Sequence, residues 1–459
     1  MQRVLLVLIA GLPVVLGAQG RPRAATIVLN HVTVVDVAGS ATQRDMAVVM
    51  SGNVIAAVDR ANAIRIPPGA QVLDLTGKFV IPGLVDMHNH LGTGATMPGP
   101  PGPAGPGQGA SRDARENLAT MLAFGFTTVF ATAYPDVREL VDLRRATNED
   151  AAPLSRFFGA GRGSTVVGGH ASLPRFNSYL PNTADDARAN VREMKAIGVD
   201  AIKAIYSDQV HTGRPPVPVM RPDVMRAIID EAHVLGLKVY VHAPTLRHAK
   251  EVLRAGADGL AHSVADAPVD DEFIELMRKN GASYTTTLAL YTSFTDVSVW
   301  MRRLEAADER RVVPLDVYER YESPEGASIY HEFFGRFPPD HLAYAKANVR
   351  RLFDAGIPVL AGTDTGVTGV LLGVSSQMEL VLLVEAGLTP AEALRAATMN
   401  PARALGRERD LGVVERDKLA DLVILDGDPL ADIQNIRKVH RVIKAGIVYQ
   451  PAQLVTTSR

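Results

Sequence analysis

The chain has 459 residues, 47% hydrophobic and 21% charged, enough for one large core with a satellite domain beside it. Its 48 Lys and Arg against 50 Asp and Glu leave a net charge of −2, so no nucleic-acid partner is implied. The absence of cysteine excludes disulfides, thiol nucleophiles and Cys-based metal sites, leaving His, Asp, Glu and Lys for any metal chemistry.

The first twenty residues, MQRVLLVLIAGLPVVLGAQG, carry one Arg, an apolar stretch from Val4 to Leu16, and then the small residues Gly17 and Ala18. This pattern predicts a secretory signal peptide over residues 1–20, too short to span a bilayer comfortably, and an exported protein, periplasmic or secreted. No stable membrane insertion is expected after processing.

Short β-rich runs with turn signals follow, among them Thr26–Leu29, Val32–Val35, Ala47–Met50 and Val54–Val58. The C-terminal end has the same texture, with a strand over Leu419–Leu425 and a hairpin over Val439–Val448 turning at Ala445-Gly446. Neither end has strands enough to bury both faces of a sheet. Residues 21–80 and 401–459 are therefore predicted to pair into one small β-sandwich domain, flanking a catalytic domain over residues 81–400.

That middle is periodic. An amphipathic helix ends in glycine and a β run follows, beginning at Gly125, Gly198, Gly236, Gly256, Gly281 and Gly356. Thr183-Ala-Asp-Asp and Thr389-Pro-Ala-Glu are helix-starting capping boxes. With strands at Val80–His90 and Arg156–Ala160 the count reaches eight. Eight parallel strands alternating with helices predict an α/β fold of the (β/α)8 TIM-barrel type, with the active site where the strands end. Two excursions leave from that same face. Gly92–Gly109 is a Gly/Pro-crowded loop, and Leu288–Asp340, with the only Trp, is expected to be helical cover over a substrate cavity.

The strand ends carry the chemistry. The first ends in His88 and His90, two apart and so on one face; the fourth carries Lys203. The fifth ends in His242, the sixth in His262 and the eighth in Asp364. Four neutral imidazoles and a carboxylate suit divalent metals. Lys203 fits such a company only as an amine that has captured CO2, since a carbamate is a carboxylate on a long arm and can bridge two metals.

The HNH of residues 88–90, the mid-chain lysine, one His on each of strands five and six, and GTDTG around Asp364 together resemble the amidohydrolase superfamily. The tail from Thr389 (TPAEALRAATMNPARALG), with Leu419-ADLVILDGDPLADI and Val442-IKAG, is similar to its imidazolonepropionase-like branch, which includes metal-dependent Xaa-Pro peptidases. The resemblance implies that His88, His90 and Asp364 bind one metal, His242 and His262 a second, and carboxylated Lys203 bridges them. Zinc is the expected pair of ions, with manganese and cobalt as alternatives. Gly168-Gly169-His170 looks like the branch's substrate-contacting GGH motif, whereas Ala204–Asp208 replaces a Gly-rich segment common among the peptidases.

The reaction expected is hydrolysis of a non-cyclic, peptide-like amide in an N-acyl amino acid, a dipeptide or an aryl-amide conjugate, by metal-activated water. Asp364 would move the proton to the leaving nitrogen, with His170 and Tyr206 as candidates for holding the oxyanion or the substrate. Arg175, Arg214 and Arg247 are candidates for a substrate carboxylate. The alternatives are a phosphotriesterase or lactonase with the same centre, and a non-catalytic exported binding protein. A homo-oligomer is expected from the resemblance.

Overall fold

A computed structural model describes residues 26–455 apart from 92–95, 99–107, 112, 135, 149–151, 309–312 and 314. The signal-like residues 1–20 and most of the Gly/Pro-crowded loop lie outside the described residues.

The chain opens with β1 (Thr26–Asp36), β2 (Ala41–Ser51), β3 (Val54–Arg60), β4 (Gln71–Asp74) and β5 (Phe79–Pro82). It passes to β6 (Leu84–Asn89), a hairpin of β7 (Thr96–Pro98) and β8 (Gln108–Ser111), then β9 (Phe126–Ala131) and β10 (Arg156–Gly159). The series continues with β11 (Ala201–Ile205), β12 (Lys238–His242), β13 (Gly259–Leu260), β14 (Ser283–Thr285) and β15 (Val359–Leu360). It closes with β16 (Leu422–Leu425), β17 (Val439–Lys444) and β18 (Ile447–Tyr449).

Both ends of the chain share one eight-stranded sheet in the order β18-β17-β16-β5-β1-β2-β3, with β4 paired to β1. The tie between them is β5 against β16, antiparallel, with Ile81 opposite Val423 and Val80 opposite Ile424. Alternation then puts Leu29, Val34, Val48, Val80, Leu422 and Ile443 into one apolar cluster. The strands of the two ends are hydrogen-bonded into one sheet, β5 offering β16 an open edge.

Between these ends run eight parallel strands, paired as β10-β9-β6 and as β11-β12-β13-β14-β15. Strand pairing alone does not make one closed sheet, but backbone hydrogen bonds cross both gaps. Met87 N–H donates to Ala361 O (2.9 Å) and Asp364 N–H to His88 O (2.8 Å) across one. Asp200 N–H donates to Gly159 O (2.9 Å) and Ser164 N–H to Lys203 O (3.0 Å) across the other. Val85, Met87, Phe130, Phe158, Ala201, Tyr240 and Leu360, drawn from six of these strands, form an apolar cluster of their own. The strands' other faces join the helices in a much larger core.

The helices begin and end where the sequence says. Both capping boxes are formed, Thr183 with Asp186 and Thr389 with Glu392. Ala184–Ile197 buries Ala187, Val191 and Met194 along one stripe and stops at Gly198, whose φ of 91° a side chain would strain. The long segment after β14 is helical, over Leu288–Thr295, Val297–Ala307, Leu315–Glu322, Pro324–Phe334 and Pro339–Asp354. Trp300, Tyr318, Tyr321 and Tyr330 are fully buried within it. Trp300 Nε1–H donates to Gly369 O (2.9 Å) and Tyr330 hydroxyl to Thr368 O (3.1 Å), so the cover is fastened to the loop that follows β15.

A buried ion pair holds the terminal sheet to the parallel strands. Arg156, at the start of β10, is forked onto the carboxylate of Asp421, which also accepts Ala445 N–H. Both side chains are almost wholly enclosed, 5% and 1% exposed. Removing one partner strands a charge away from water. Asp421→Ala is therefore expected to lower unfolding stability by about 3–5 kcal/mol, read from urea midpoints, and Arg156→Met in the same chain to recover most of that loss. A midpoint unchanged in Asp421→Ala would show the pair contributes nothing.

Candidate metal centre

Strand β6 is not regular at its end. Asp86 lies opposite Val129 of β9 and Asn89 opposite Ala131, so three steps on one strand meet two on the other. Such a bulge re-aims side chains. Val85 and Met87 lie in the apolar cluster between the strands while Asp86 turns outward to Ser376, and after the bulge His88 and His90 turn inward towards Asp364. Asp86 holds the arrangement, accepting from His88 N–H (3.0 Å), the Thr363 hydroxyl (2.7 Å) and the Ser376 hydroxyl (2.8 Å). Burial pushes its carboxyl up to about 6, against those hydrogen bonds. Sequence reasoning missed this residue, although an acid two positions before a histidine pair is a signal for one.

His88, His90 and Asp364 each offer a ligand atom within 4.8 Å of the others. Nε2 of His88 lies 3.1 Å, and Nε2 of His90 2.8 Å, from Asp364 Oδ1. His88 Nδ1 lies 2.6 Å from Ala261 O, a pure acceptor, so Nδ1 carries the ring proton. Burial lowers the His88 pKa to about 4, with Lys203 and His90 adding to the effect and Asp364 opposing it. The neutral ring thus presents an Nε2 lone pair to a carboxylate oxygen, and Oδ1 has no hydrogen-bond partner among the described residues. Two facing lone pairs repel unless a cation lies between them.

The other imidazoles continue from there. His262 stands 4.4 Å from His88, ring centre to ring centre, and His242 4.5 Å from His262. His262 Nδ1 is engaged by the Thr287 hydroxyl (3.1 Å), freeing its Nε2, and His242 Nε2 is buried without a hydrogen-bond partner. Burial, then neighbouring positive groups, holds both well below the usual histidine value. Lys203 is buried with its Nζ unpartnered, and burial lowers its pKa to about 7, with Asp364 opposing. Burial by itself would raise the Asp364 carboxyl; positive charge on the His88 and His90 side holds it well below the usual range. Neutral nitrogens, an ionised carboxylate and unpaired buried atoms fit divalent cations, with His88, His90 and Asp364 around one position and His242 and His262 beside it.

Left-handed backbone occurs at the same rim, as it does at turns elsewhere in the chain. Ala171, Gln209, Thr287 and Asp364 follow or end four different strands with φ of 59°, 64°, 48° and 65°. Residues with side chains adopt that region at a cost and do so preferentially at working sites.

Other residues singled out from the sequence fall into place unevenly. His170 stacks on His242 at 4.6 Å and 19°, and Gln209 Nε2 contacts its Nδ1. Tyr206 is not brought to the centre. Lys203 and Tyr206 are an odd number of positions apart, so with Lys203 turned inward Tyr206 packs with Ile202 and Ala204 in the helix-side core. Its ring edge meets His248 at 5.4 Å, and its hydroxyl, beside Glu251, is pushed up to about 12 by burial and that contact. Arg247 is paired with Asp208 (3.0 Å) on the surface. Arg214 is exposed, near enough that its charge acts on His170. The Arg175 side chain lies outside the described residues. His211 was missed. It is buried in the turn after β11, its ring 6.5 Å from His242 and 5.5 Å from Phe337 of the helical cover.

Comparison with known proteins agrees with this geometry. A family model described as the amidohydrolase family matches residues 79–448. A dihydroorotase of Anaeromyxobacter dehalogenans is 25% identical, the match covering 86% of this chain and 86% of that protein. An ochratoxinase of Aspergillus niger is 23% identical over 81% of this chain and 75% of its own length. Among solved structures, a Xaa-Pro dipeptidase with methionine bound in its active site superposes with a TM-score of 0.72 and 25% identity, over 93% of this chain and 100% of that one.

Removing divalent metal should be felt by the fold. A chelator is expected to lower the thermal midpoint, and zinc to restore it, because a ligand held far above its Kd adds about a few kcal/mol of stability. His242→Ala should carry less bound metal than the wild type by elemental analysis. Equal metal content in the variant would remove His242 from the ligand set.

Proposed function

The chain belongs to the amidohydrolase family, and from that premise we propose that it hydrolyses a non-cyclic, peptide-like amide bond in a small N-acyl amino acid, dipeptide or aryl-amide conjugate. The observation that carries the proposal is the convergence of four imidazoles, Asp364 and an unpartnered buried lysine on one rim. In this reading His88, His90 and Asp364 hold one divalent ion and His242 and His262 the other, with Lys203 between them as a carbamate. Zinc suits that donor set. The eight parallel strands are read with it as a single (β/α)8 barrel.

Two such ions, when bound, supply Lewis-acid activation of water and of the scissile carbonyl. The rest falls to the chain. Asp364, held ionised at neutral pH, is the base that takes the proton of the attacking water and passes it to the departing nitrogen. Its left-handed backbone, with its own N–H bound to His88 O, fixes the carboxylate against both histidines. His170, with Gln209's amide nitrogen donating to Nδ1, keeps its ring proton on Nε2 and can donate to the developing oxyanion beside His242. The helical cover reaches the rim through Phe337, which packs on His211.

Support for amides over other bonds comes from the similarity to a Xaa-Pro dipeptidase and to an ochratoxinase. The proposal also takes residues 1–20 as an export signal and the working form as a homo-oligomer.

A hydrolysis screen of the metal-loaded protein over N-acyl amino acids and dipeptides tests the activity directly, with a lactone and an aryl phosphotriester as controls. Faster turnover of either control would replace the amide assignment. Lys203→Ala is expected to lose nearly all activity and to regain part of it with bicarbonate or a short carboxylic acid; full activity in the variant would eliminate the bridge. Asp364→Asn should lower kcat by at least about 100-fold, the scale of a general acid–base contribution, while retaining part of its metal. A near-normal kcat would remove it as the proton carrier.

A further inference from the structure

At the end of the strands away from the metal centre there is a cavity of about 460 Å³. Its wall includes Lys238 at the start of β12, Ser283 at the start of β14, Pro358 just before β15, and the helical residues Arg395 and Arg403. The five residues of β12 alone separate it from His242 by about 13 Å, so it is a different site.

We propose that this cavity binds a small organic carboxylate with an apolar body. Three of its lining residues are cationic and only Asp258 is acidic. That acid is already committed: its Oδ2 accepts Val239 N–H (2.8 Å) and lies 2.8 Å from His233 Nε2. Lys238 is partly committed as well, donating to Ala404 O (2.8 Å). Arg395 and Arg403 are not. Among the described residues neither has a carboxylate partner. A carboxylate is the acceptor whose two oxygens match the fork of an arginine.

The remaining wall decides what the carboxylate is attached to. Arg395 lies over the ring of Phe353 (5.8 Å), and Phe353, Ile357, Pro358 and Met399 give the cavity an apolar side. Inorganic phosphate would leave that side uncovered. An aryl or branched acyl carboxylate fills it while its anion reaches the arginines, and the volume suits a ligand of that size.

The test is calorimetric titration of the metal-loaded full chain with benzoate. Saturable binding is expected, weakened by about tenfold or more in Arg395→Met and in Arg403→Met, each of which keeps its metal content and thermal midpoint. Arg403 is exposed, so its variant is a safe second should Arg395→Met fold poorly. Equal benzoate affinity in both variants would place the ligand at the metal centre and overturn the proposal. No saturation by about 10 mM would also overturn it. So would inorganic phosphate competing as well as benzoate, because the apolar wall would then be unused. None of these readouts depends on turnover, so the amide-hydrolase assignment and this site stand or fall separately.

Discussion

The rim of this protein turns lone pairs towards one another. His88 Nε2 faces Asp364 Oδ1 while its Nδ1 proton is spent on Ala261 O, and His242 Nε2 and Lys203 Nζ lie near them with no partner. Such an arrangement is unfavourable in a dry place unless positive charge is shared among the groups. Burial prevents His88, His242 and His262 from supplying that charge as protons, since it keeps those three neutral. A divalent cation resolves the conflict, and much of the neighbouring architecture serves to maintain it.

That maintenance is distributed. The bulge in β6 turns the His88–His90 pair, Asp86 clamps the ends of β6 and the 363–365 segment, and left-handed residues at four strand ends hold the turns open. Each of these is locally unfavourable or conformationally demanding. The packing of the strands, with an apolar cluster between them and a far larger core under the helices, supplies the rigidity that keeps them in place.

Much of this was legible in the sequence because the relevant signals are local. Glycine stops and capping boxes mark where each helix ends or begins, so the next strand can be counted off, giving Lys203, His242, His262 and Asp364, while His88 and His90 are read from their own spacing on the first strand. What was not legible depends on parity and on distant partners. Tyr206 lies three positions beyond an inward-facing lysine, and alternation sends it to the helices. His211 sits in an irregular turn whose path no local pattern specifies, and its neighbour Phe337 comes from a helix more than a hundred residues later. The pairing of the two ends follows from their shared β texture, but the register of β5 with β16 is not encoded by composition.

That register has a bearing on how the molecule is made. Residues 79–82 find their antiparallel neighbour only at 422–425, so the first five strands wait, one edge bare, while the whole catalytic middle is synthesised. The outer sheet can therefore be completed only after the whole middle of the chain has been made, and the strand at 422–425 closes over the edge that the first five leave open.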